Sequence, residues 1–338
     1  MRPSPLKRSL PFLLAGVALA VYFSINPPRL EHLAVLVLLG GLSLAADWSR
    51  DLAVALVPAG IFGYAYDALR LFAERSYHEV IVEPIYRAEQ YLVGWMTPGE
   101  LGPVDFFRDH HYLAIDLLAG MLYSTHVPSI VIFGVYLWWR SWKGDEVSAT
   151  ESKEASKVGR RGKPKARVHR FMWGYLIFNL LGFMVWVLFP VAPPWYVEQY
   201  GFGAPGEAIP GDPAALARVD AVLGYAYFSS IYREATYIFG AMPSLHVAPA
   251  FWIVLWARIR PIKGVAALYA AMMSFFAVYL GHHYIIDVLA GAALASAVYY
   301  ALAHTRLGEL PDRAAARIKS AIDDLLEPRA QQEAPSEA

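Results

Sequence analysis

Two short segments late in the chain carry residue types that could do chemistry. The first runs from Gly240 to His246 and ends in Pro-Ser-Leu-His. The second runs from Gly281 to Asp287 and places His283 four residues before that aspartate. On a helix this spacing puts both side chains on one face, one turn apart. The carboxylate can then accept the Nδ1–H of the imidazole, which leaves Nε2 as a nucleophile or base.

Together the two segments suit attack on phosphorus. Ser244 and His246 are expected at a helix N-terminus, with Pro243 just inside the helix, where free N–H groups and the helix dipole favour phosphate. His283 would attack, and His246 would protonate the leaving oxygen and then deprotonate the acceptor. Asp287 would stabilise the charge on the imidazole. The hydroxyl of Ser244 has two alternatives, a contact with phosphate or a helix cap.

The elements that must position these residues are membrane helices. The chain is 57% hydrophobic and 17% charged, below the charged content of about 25% that is usual in soluble domains. Apolar blocks long enough for a span, about 20 residues, predict an all-α polytopic protein with about eight transmembrane helices. The predicted spans are 10–25, 31–46, 52–72, 112–139, 171–190, 244–257, 263–280 and 284–304.

The basic residues predict the orientation of these spans. With both termini in the cytoplasm, 22 of the 29 Lys and Arg residues fall in cytoplasmic segments, and every lysine is among them. Both chemical segments then lie at the same extracytoplasmic face. We expect a cell inner or plasma membrane. A signal peptide ending at Ala18-Leu19-Ala20 is the alternative for the first span, but apolar residues continue past that site, which favours an uncleaved helix.

This topology divides the chain into three parts. Residues 1–50 form two additional N-terminal helices, 51–304 the catalytic membrane core, and 305–338 a cytoplasmic tail. Within the core, 143–170 is a cytoplasmic loop and 191–243 an extracytoplasmic one, and 306–327 of the tail could form an amphipathic helix. The zero net charge argues against a nucleic-acid partner, and the lack of cysteine excludes disulfides and thiolate sites.

Both chemical segments resemble a known family. The strings PSLH and HHYIIDVLAG are similar to motifs of the type-2 phosphatidate phosphatase superfamily, in its inositol phosphorylceramide synthase branch, the target of aureobasidin in fungi. Phe189-Pro190-Val191-Ala192-Pro193-Pro194-Trp195-Tyr196 resembles a further stretch of that branch. The resemblance implies a phosphohistidine mechanism without metal or cofactor and a six-helix core made of spans three to eight. It also implies transfer of phosphoinositol from a phospholipid donor to a ceramide- or diacylglycerol-like acceptor, and it leaves the oligomeric state open.

The chain departs from the phosphatases in its cationic residues. Phe276 and Ala277 stand where the phosphatases carry Ser-Arg, and no Lys-x6-Arg-Pro motif occurs. Another cation must therefore hold the phosphate, and Arg233, thirteen residues before His246, is the favoured one. The candidates on the extracytoplasmic side are Arg29, Arg70, Arg75, Arg87, Arg108, Arg218 and Arg233.

A second His/Asp string, at 109–120, echoes the 282–291 segment. His111 and Asp116 are five residues apart, about 140° around a helix, so they cannot form the same couple. Asp116 and His126 are polar residues within a span and need partners. We interpret both as substrate-pocket or helix-packing residues, with packing slightly favoured.

Three other functions fit parts of the pattern. A phosphatase or pyrophosphatase would use the same residues with water as acceptor. Histidines and an aspartate can also hold zinc, but the helix ends suit phosphate and the motif pattern is not that of a zinc site. A non-enzymatic transporter or lipid-binding protein would be favoured by broken helices and an inverted repeat, and the only hint of a repeat is the 109–120 echo, in a non-matching position.

Overall fold

The computed structural model describes residues 16–17, 19–20, 22–24, 29–100, 102–143 and 164–326. Most of the predicted first span, the central part of the 143–170 loop and the last residues of the tail lie outside them. The helices in the described residues from 29 onward are α1 Leu30–Ala45, α2 Asp47–Asp67, α3 Ala73–Glu79, α4 Glu83–Val93, α5 Pro103–Asp109, α6 Leu113–Tyr123, α7 His126–Trp142, α8 Pro164–Leu188, α9 Pro194–Tyr200, α10 Ala217–Leu223, α11 Tyr227–Arg233, α12 Val247–Trp256, α13 Arg260–Tyr279, α14 Ile285–His304 and α15 Glu309–Leu326.

These helices confirm an all-α polytopic membrane protein. In the described part of the chain, four helical segments are long and apolar enough to cross a membrane: Asp47–Glu79, Ala166–Leu188, Arg260–Tyr279 and Ile285–His304. The pair α6 and α7 forms a fifth span if counted as one, with a bend of 50° between them. Helices α1 and α12 are apolar but shorter. Eight spans therefore stay a prediction, and 112–139 is a broken span rather than one straight helix.

The chain divides into two compact units. The first comprises 1–60, 134–172 and 306–338. Within it, the predicted amphipathic tail helix is present as α15. Asp323 of α15 pairs with Arg50 at 2.9 Å, Asp312 pairs with Arg170 at 3.0 Å, and Lys319 pairs with Asp51. These ion pairs join three segments that the basic-residue pattern assigns to one side of the membrane.

The second unit comprises 61–133 and 173–305 and contains both chemical segments. Helices α12, α13 and α14 pack together, α5 and α6 pack on α13, and α10 packs on α6. The buried apolar side chains between these helices include Val219, Val247, Ala250, Met273, Phe276 and Val288. A close approach brings α14 against the Pro-Ser-Leu-His turn, because a Cβ at Gly291 would overlap the carbonyl oxygen of Ser244. The glycine in HHYIIDVLAG thus allows the two motifs to touch.

Three loops of the second unit are joined by backbone hydrogen bonds on the side where the motifs lie. Val191 bridges Ile81 on one side and Gly240 on the other. The Val191 N–H donates to Phe239 at 2.8 Å, and the Ala241 N–H donates to the Val191 carbonyl at 3.2 Å. These bonds fix the backbone of Ala241, which lies next to the catalytic candidates.

Candidate active site

The two predicted catalytic histidines are in direct contact. The Nδ1 atom of His246 lies 3.1 Å from Nε2 of His283. His246 is the N-cap of α12, and His283 lies in the turn between α13 and α14. The prediction that the two segments meet is therefore confirmed. Because Nε2 of His283 can accept from Nδ1–H of His246, the pair can share one proton on the line between the two rings.

The orientation of His283 comes from a backbone carbonyl. Its Nδ1 lies 2.9 Å from the carbonyl oxygen of Ala241, which can only accept, so the proton is on Nδ1 and the lone pair on Nε2. Oδ2 of Asp287 is 3.7 Å from the same Nδ1, beyond hydrogen-bond length. The sequence predicted the right tautomer but assigned the hydrogen bond to the aspartate, whereas the closest acceptor is the carbonyl.

Asp287 stabilises the turn that carries the nucleophile candidate. Its Oδ2 accepts the N–H of Tyr284 at 2.8 Å, and its carbonyl accepts the N–H of Ser244 at 2.9 Å. It is fully buried, and Oδ1 has no hydrogen-bond partner in the described residues. A carboxylate 3.7 Å from the imidazole still stabilises the positive charge that develops there. Asp287 therefore links both motifs and supplies charge to His283.

The Phe-Pro-Val-Ala-Pro-Pro-Trp stretch holds the same turn from the other side. The N–H of Trp195 donates to the carbonyl of Gly281 at 3.1 Å. Gly281 has a φ of 72°, a left-handed conformation that glycine adopts without strain. The N–H groups of His282 and His283 both donate to Ala277. These bonds make the stretch part of the support of the site.

The N-terminus of α14 is occupied by a residue that the sequence analysis missed. Glu89 of α4 is 1% exposed, and its carboxylate accepts the N–H groups of Ile285 at 2.9 Å and Ile286 at 3.2 Å. These N–H groups of α14 are therefore already occupied and are not free to bind phosphate. Burial raises the pKa of the Glu89 carboxyl. No short motif marks Glu89, because its partners are almost two hundred residues away.

We expect Glu89→Ala to destabilise the protein by about 2 kcal/mol or more, because it leaves two buried N–H groups without an acceptor. Activity should fall with it, since α14 carries Asp287. Glu89→Gln keeps one side-chain oxygen as an acceptor, so it should lose less stability and less activity. Thermal unfolding in detergent, with activity measured below the transition, checks this. A Glu89→Ala protein as stable as wild type would show that the N–H groups find another acceptor.

The surroundings of the histidine pair are aromatic. Tyr123, at the end of α6, stacks on His246 with ring centroids 4.5 Å apart and on His282 at 5.3 Å. His126, just past the break between α6 and α7, approaches His246 at 4.5 Å. From the sequence, His126 was expected to be a substrate-pocket or helix-packing residue. Because the α6–α7 span is broken here, an imidazole reaches the site.

Burial and the neighbouring imidazoles change how two of these histidines titrate. Burial, followed by His126, His283 and His282, lowers the pKa of His246 well below its ordinary range. Burial lowers the pKa of His282 to about 3. His282 stacks between Tyr123 and Tyr232. It is therefore part of the aromatic surroundings of His246.

The predicted substrate-binding residues have different surroundings. Ser244 is fully buried and its Oγ accepts the N–H of Val247 at 3.3 Å, which favours the capping alternative. The helix begins after this turn, at Val247, so Pro243 precedes the helix rather than lying inside it. A contact between Ser244 and phosphate stays a prediction.

Asp116 is buried among helices. Both its oxygens accept from Arg218, at 2.7 and 3.0 Å, and Oδ1 also accepts from Tyr279 at 2.8 Å. A carboxylate held by three donors has little capacity left for a ligand, so the geometry favours the packing role.

Arg233 differs from the other candidate cations. It is exposed at the end of α11, directly after Tyr232, and it makes no ion pair in the described part of the chain. Each of the other six candidates has a carboxylate partner in the structure, these arginines being Arg29, Arg70, Arg75, Arg87, Arg108 and Arg218. Arg233 is the one whose charge is not already paired. Among the described residues, no group of three or more His, Asp or Glu is arranged to hold a metal ion.

Comparison with known proteins places this site in a family. Residues 162–301 match the model of the PAP2 superfamily, so the match includes His246, His283 and Asp287. The chain is 35% identical over 272 residues to a phosphoinositol dihydroceramide synthase of Bacteroides thetaiotaomicron, covering 79% of this chain and 82% of that protein. No solved structure matches it.

Fungal proteins match a shorter part. An inositol phosphorylceramide synthase of Candida albicans is 37% identical over 142 residues, 41% of this chain and 30% of that protein. The inositol phosphorylceramide synthase catalytic subunit of Saccharomyces cerevisiae is 32% identical over 139 residues, 40% of this chain and 33% of that protein. With the site geometry and the long bacterial match, the chain belongs to the PAP2 superfamily, in its inositol phosphorylceramide synthase branch, and is a membrane phosphotransferase.

Proposed function

We propose that this chain transfers phosphoinositol from a phosphoinositol-bearing glycerolipid to the hydroxyl of a ceramide-like lipid. The observation that carries the proposal is the contact of 3.1 Å between Nε2 of His283 and Nδ1 of His246, where a nucleophile and a proton carrier meet. The similarity to a phosphoinositol dihydroceramide synthase supports phosphoinositol as the transferred group and a ceramide-like lipid as the acceptor. The distribution of Lys and Arg supports an active site on the extracytoplasmic face with both termini in the cytoplasm.

In the first step, Nε2 of His283 attacks phosphorus and the bond to the diacylglycerol oxygen breaks. The leaving oxygen takes the proton from Nδ1 of a protonated His246. Nδ1–H of His283 stays on the Ala241 carbonyl, and the phosphorylated imidazole gains positive charge that Asp287 stabilises. In-line displacement puts nucleophile and leaving oxygen on opposite sides of phosphorus, so the His246 ring moves away from His283 when lipid enters.

The second step runs the first in reverse with a new alcohol. The ceramide hydroxyl gives its proton to Nδ1 of His246 and attacks phosphorus, and the P–N bond to His283 breaks. Nε2 of His283 regains its lone pair, and His246 regains the proton that it donated in the first step. Water can enter the same step, which would make the enzyme a phosphatase. The stacked aromatic residues Tyr123 and Tyr232 support exclusion of water from this side of the phosphohistidine.

Arg233 is proposed as the cation that holds the phosphodiester. We expect Arg233→Gln to raise the KM for the donor about tenfold or more, since a hydrogen bond to a charged group contributes about 1.5–3 kcal/mol. Arg75→Gln is the matched control, because Arg75 is half exposed and pairs with Glu79. Initial rates against donor concentration measure the effect. Equal KM values for both variants would remove Arg233 from the site.

The pKa of His246 predicts the pH dependence. The free enzyme is active when His246 holds a proton and Nε2 of His283 does not. Burial and the imidazoles of His126, His283 and His282 lower the pKa of His246 well below its ordinary range. Above that pKa, the fraction of free enzyme in the active protonation state falls about tenfold per pH unit. kcat/KM should therefore decline through neutral pH. The decline of kcat should begin at a higher pH than the decline of kcat/KM, because the bound phosphate anion stabilises the protonated imidazole of His246.

Rates from pH 5 to 9 test this, with the apparent pKa assigned to the coupled pair. His246→Gln should lose the alkaline limb of kcat/KM. A wild-type kcat/KM that rises through neutral pH would mean that His246 acts first as a base and not as an acid.

Product analysis tests the proposed function itself. Purified protein in nanodiscs receives phosphatidylinositol with ceramide, with diacylglycerol, or with neither, and products are identified by mass spectrometry. We expect inositol phosphorylceramide with ceramide and little free inositol phosphate without a lipid acceptor. Full turnover to inositol phosphate in the absence of acceptor would identify a phosphatase instead.

A further inference from the structure

A polar cavity of about 170 Å³ lies beside the turn that carries His283. Its polar walls are Tyr86 of α4, Asp105 and Arg108 of α5, Glu198 of α9 and Tyr284. It is small beside the pockets that bind drug-sized ligands, which span about 300–1,000 Å³. Its volume is on the scale of a single six-membered ring rather than of an acyl chain.

Two of the residues that line the cavity are direct sequence neighbours of residues in the candidate active site. Tyr284 directly follows His283, and its N–H is bound by Asp287. Pro194, a second wall residue, directly precedes Trp195, whose N–H is bound to Gly281. Two walls of the cavity are therefore one residue away from groups that hold the nucleophile turn.

The hydrogen-bond donors in this cavity, the Tyr284 hydroxyl and the Arg108 guanidinium, have few close partners in the described residues. The Tyr284 side chain is 1% exposed, and its hydroxyl has no hydrogen-bond partner in the described residues. A buried hydroxyl without a partner costs free energy unless a ligand satisfies it. Arg108 contributes further N–H groups, since it contacts Asp105 only at 3.4 Å and Asp109 at 3.8 Å.

The acceptors are of two kinds. The carboxylate of Asp105 is already hydrogen-bonded within the protein, because its Oδ2 accepts from Tyr86 at 2.8 Å and from Gln90 at 2.7 Å. Burial and this bond to Asp105 raise the pKa of Tyr86 to about 12, so its hydroxyl keeps its proton and presents lone pairs. Glu198 is exposed and makes no ion pair or hydrogen bond in the described part of the chain. The cavity therefore contains both hydrogen-bond donors and hydrogen-bond acceptors within one small volume.

We propose that this cavity binds the inositol ring of the donor lipid while its phosphate lies at His283. This inference rests on the proposed function and names its specificity subsite. A ring with a hydroxyl on every carbon both donates and accepts, which matches Glu198, Tyr86, Arg108 and Tyr284. A cationic headgroup fits less well, because Arg108 lies in the wall and the Asp105 carboxylate is already satisfied by three donors.

The experiment uses Glu198→Gln and Tyr284→Phe in the full-length protein. Glu198 is exposed, so its replacement does not threaten the fold, and Tyr284→Phe removes only the hydroxyl. The probes are myo-inositol 1-phosphate and glycerol 1-phosphate as competitive inhibitors of phosphatidylinositol turnover. Glu83→Gln is the matched control, because Glu83 lies on α4, half exposed, and pairs with Arg87 outside the cavity.

We expect each cavity variant to raise the inhibition constant of inositol 1-phosphate and the KM for phosphatidylinositol about tenfold. kcat and inhibition by glycerol 1-phosphate should change little, and Glu83→Gln should behave like wild type. Inositol 1-phosphate inhibition that is unchanged in both variants would overturn the subsite, as would stronger inhibition of wild type by phosphocholine. If wild type does not turn over phosphatidylinositol, the proposed function fails. Calorimetric binding of inositol 1-phosphate to wild type and variants then still decides whether the cavity is an inositol site.

Discussion

Replacement of His283 by alanine should lower kcat about 10⁴-fold or more. The reason is that a two-step transfer has no route once the group that accepts the phosphoryl is gone, and loss of a nucleophile in such a unit removes most of the rate enhancement. The measurement is single-turnover formation of diacylglycerol from phosphatidylinositol. This reaction reports the first step alone and needs no ceramide.

The matched control for that variant is His111→Ala. His111 belongs to the string that echoes the 282–291 segment, it is exposed, and it lies five residues before Asp116. Its removal should leave diacylglycerol formation near the wild-type rate. If His283→Ala retained a tenth of the wild-type rate, His283 would not be the nucleophile and the phosphoryl group would have to pass to another residue or directly to the acceptor.

Replacement of His246 by glutamine should have an effect that depends on the leaving group. A diacylglycerol oxygen leaves poorly without a proton, so loss of the acid should lower the rate about 10³-fold with phosphatidylinositol. In a p-nitrophenyl inositol phosphodiester the leaving group is p-nitrophenolate, which departs without a proton. With this substrate the same variant should therefore lose about tenfold or less in rate. The ratio of the two losses isolates proton donation from binding.

His126→Gln separates this role from simple packing. Its ring lies 4.5 Å from that of His246, but it is His246 whose Nδ1 meets Nε2 of His283. A variant that only disturbs the position of His246 should lower both reactions by a similar factor. Equal losses in His246→Gln for both substrates would contradict the acid role and leave His246 as a support for His283.

The sequence predicted those parts of the site that depend on local spacing. His283 lies in the turn just before α14 and Asp287 in the first turn of that helix, with 3.7 Å between Nδ1 and Oδ2, and the basic-residue pattern assigned His246 to the same side. The resemblance to the family came from the same short strings. Helix bounds were also close, because apolar runs and their ends are local features.

Contacts made by the backbone or by distant residues were not predictable in this way. The carbonyl of Ala241 holds Nδ1 of His283, but any residue could supply that carbonyl, so no side-chain type announces it. Glu89 caps α14 from a different helix, and the bent α6–α7 span brings His126 to the site through a break that the apolar pattern conceals. The Asp116 carboxylate is taken by Arg218, and that partner is over a hundred residues away.

The most direct test of the account is to trap the intermediate. Protein incubated with phosphatidylinositol and no acceptor, quenched in alkali to preserve phosphohistidine and digested, should yield one peptide that carries phosphoinositol on His283. The modified peptide should disappear on addition of ceramide and should be absent from His283→Ala. Phosphoinositol on a different residue, or ceramide-dependent turnover with inversion of configuration at phosphorus and no adduct, would contradict a phosphohistidine at His283.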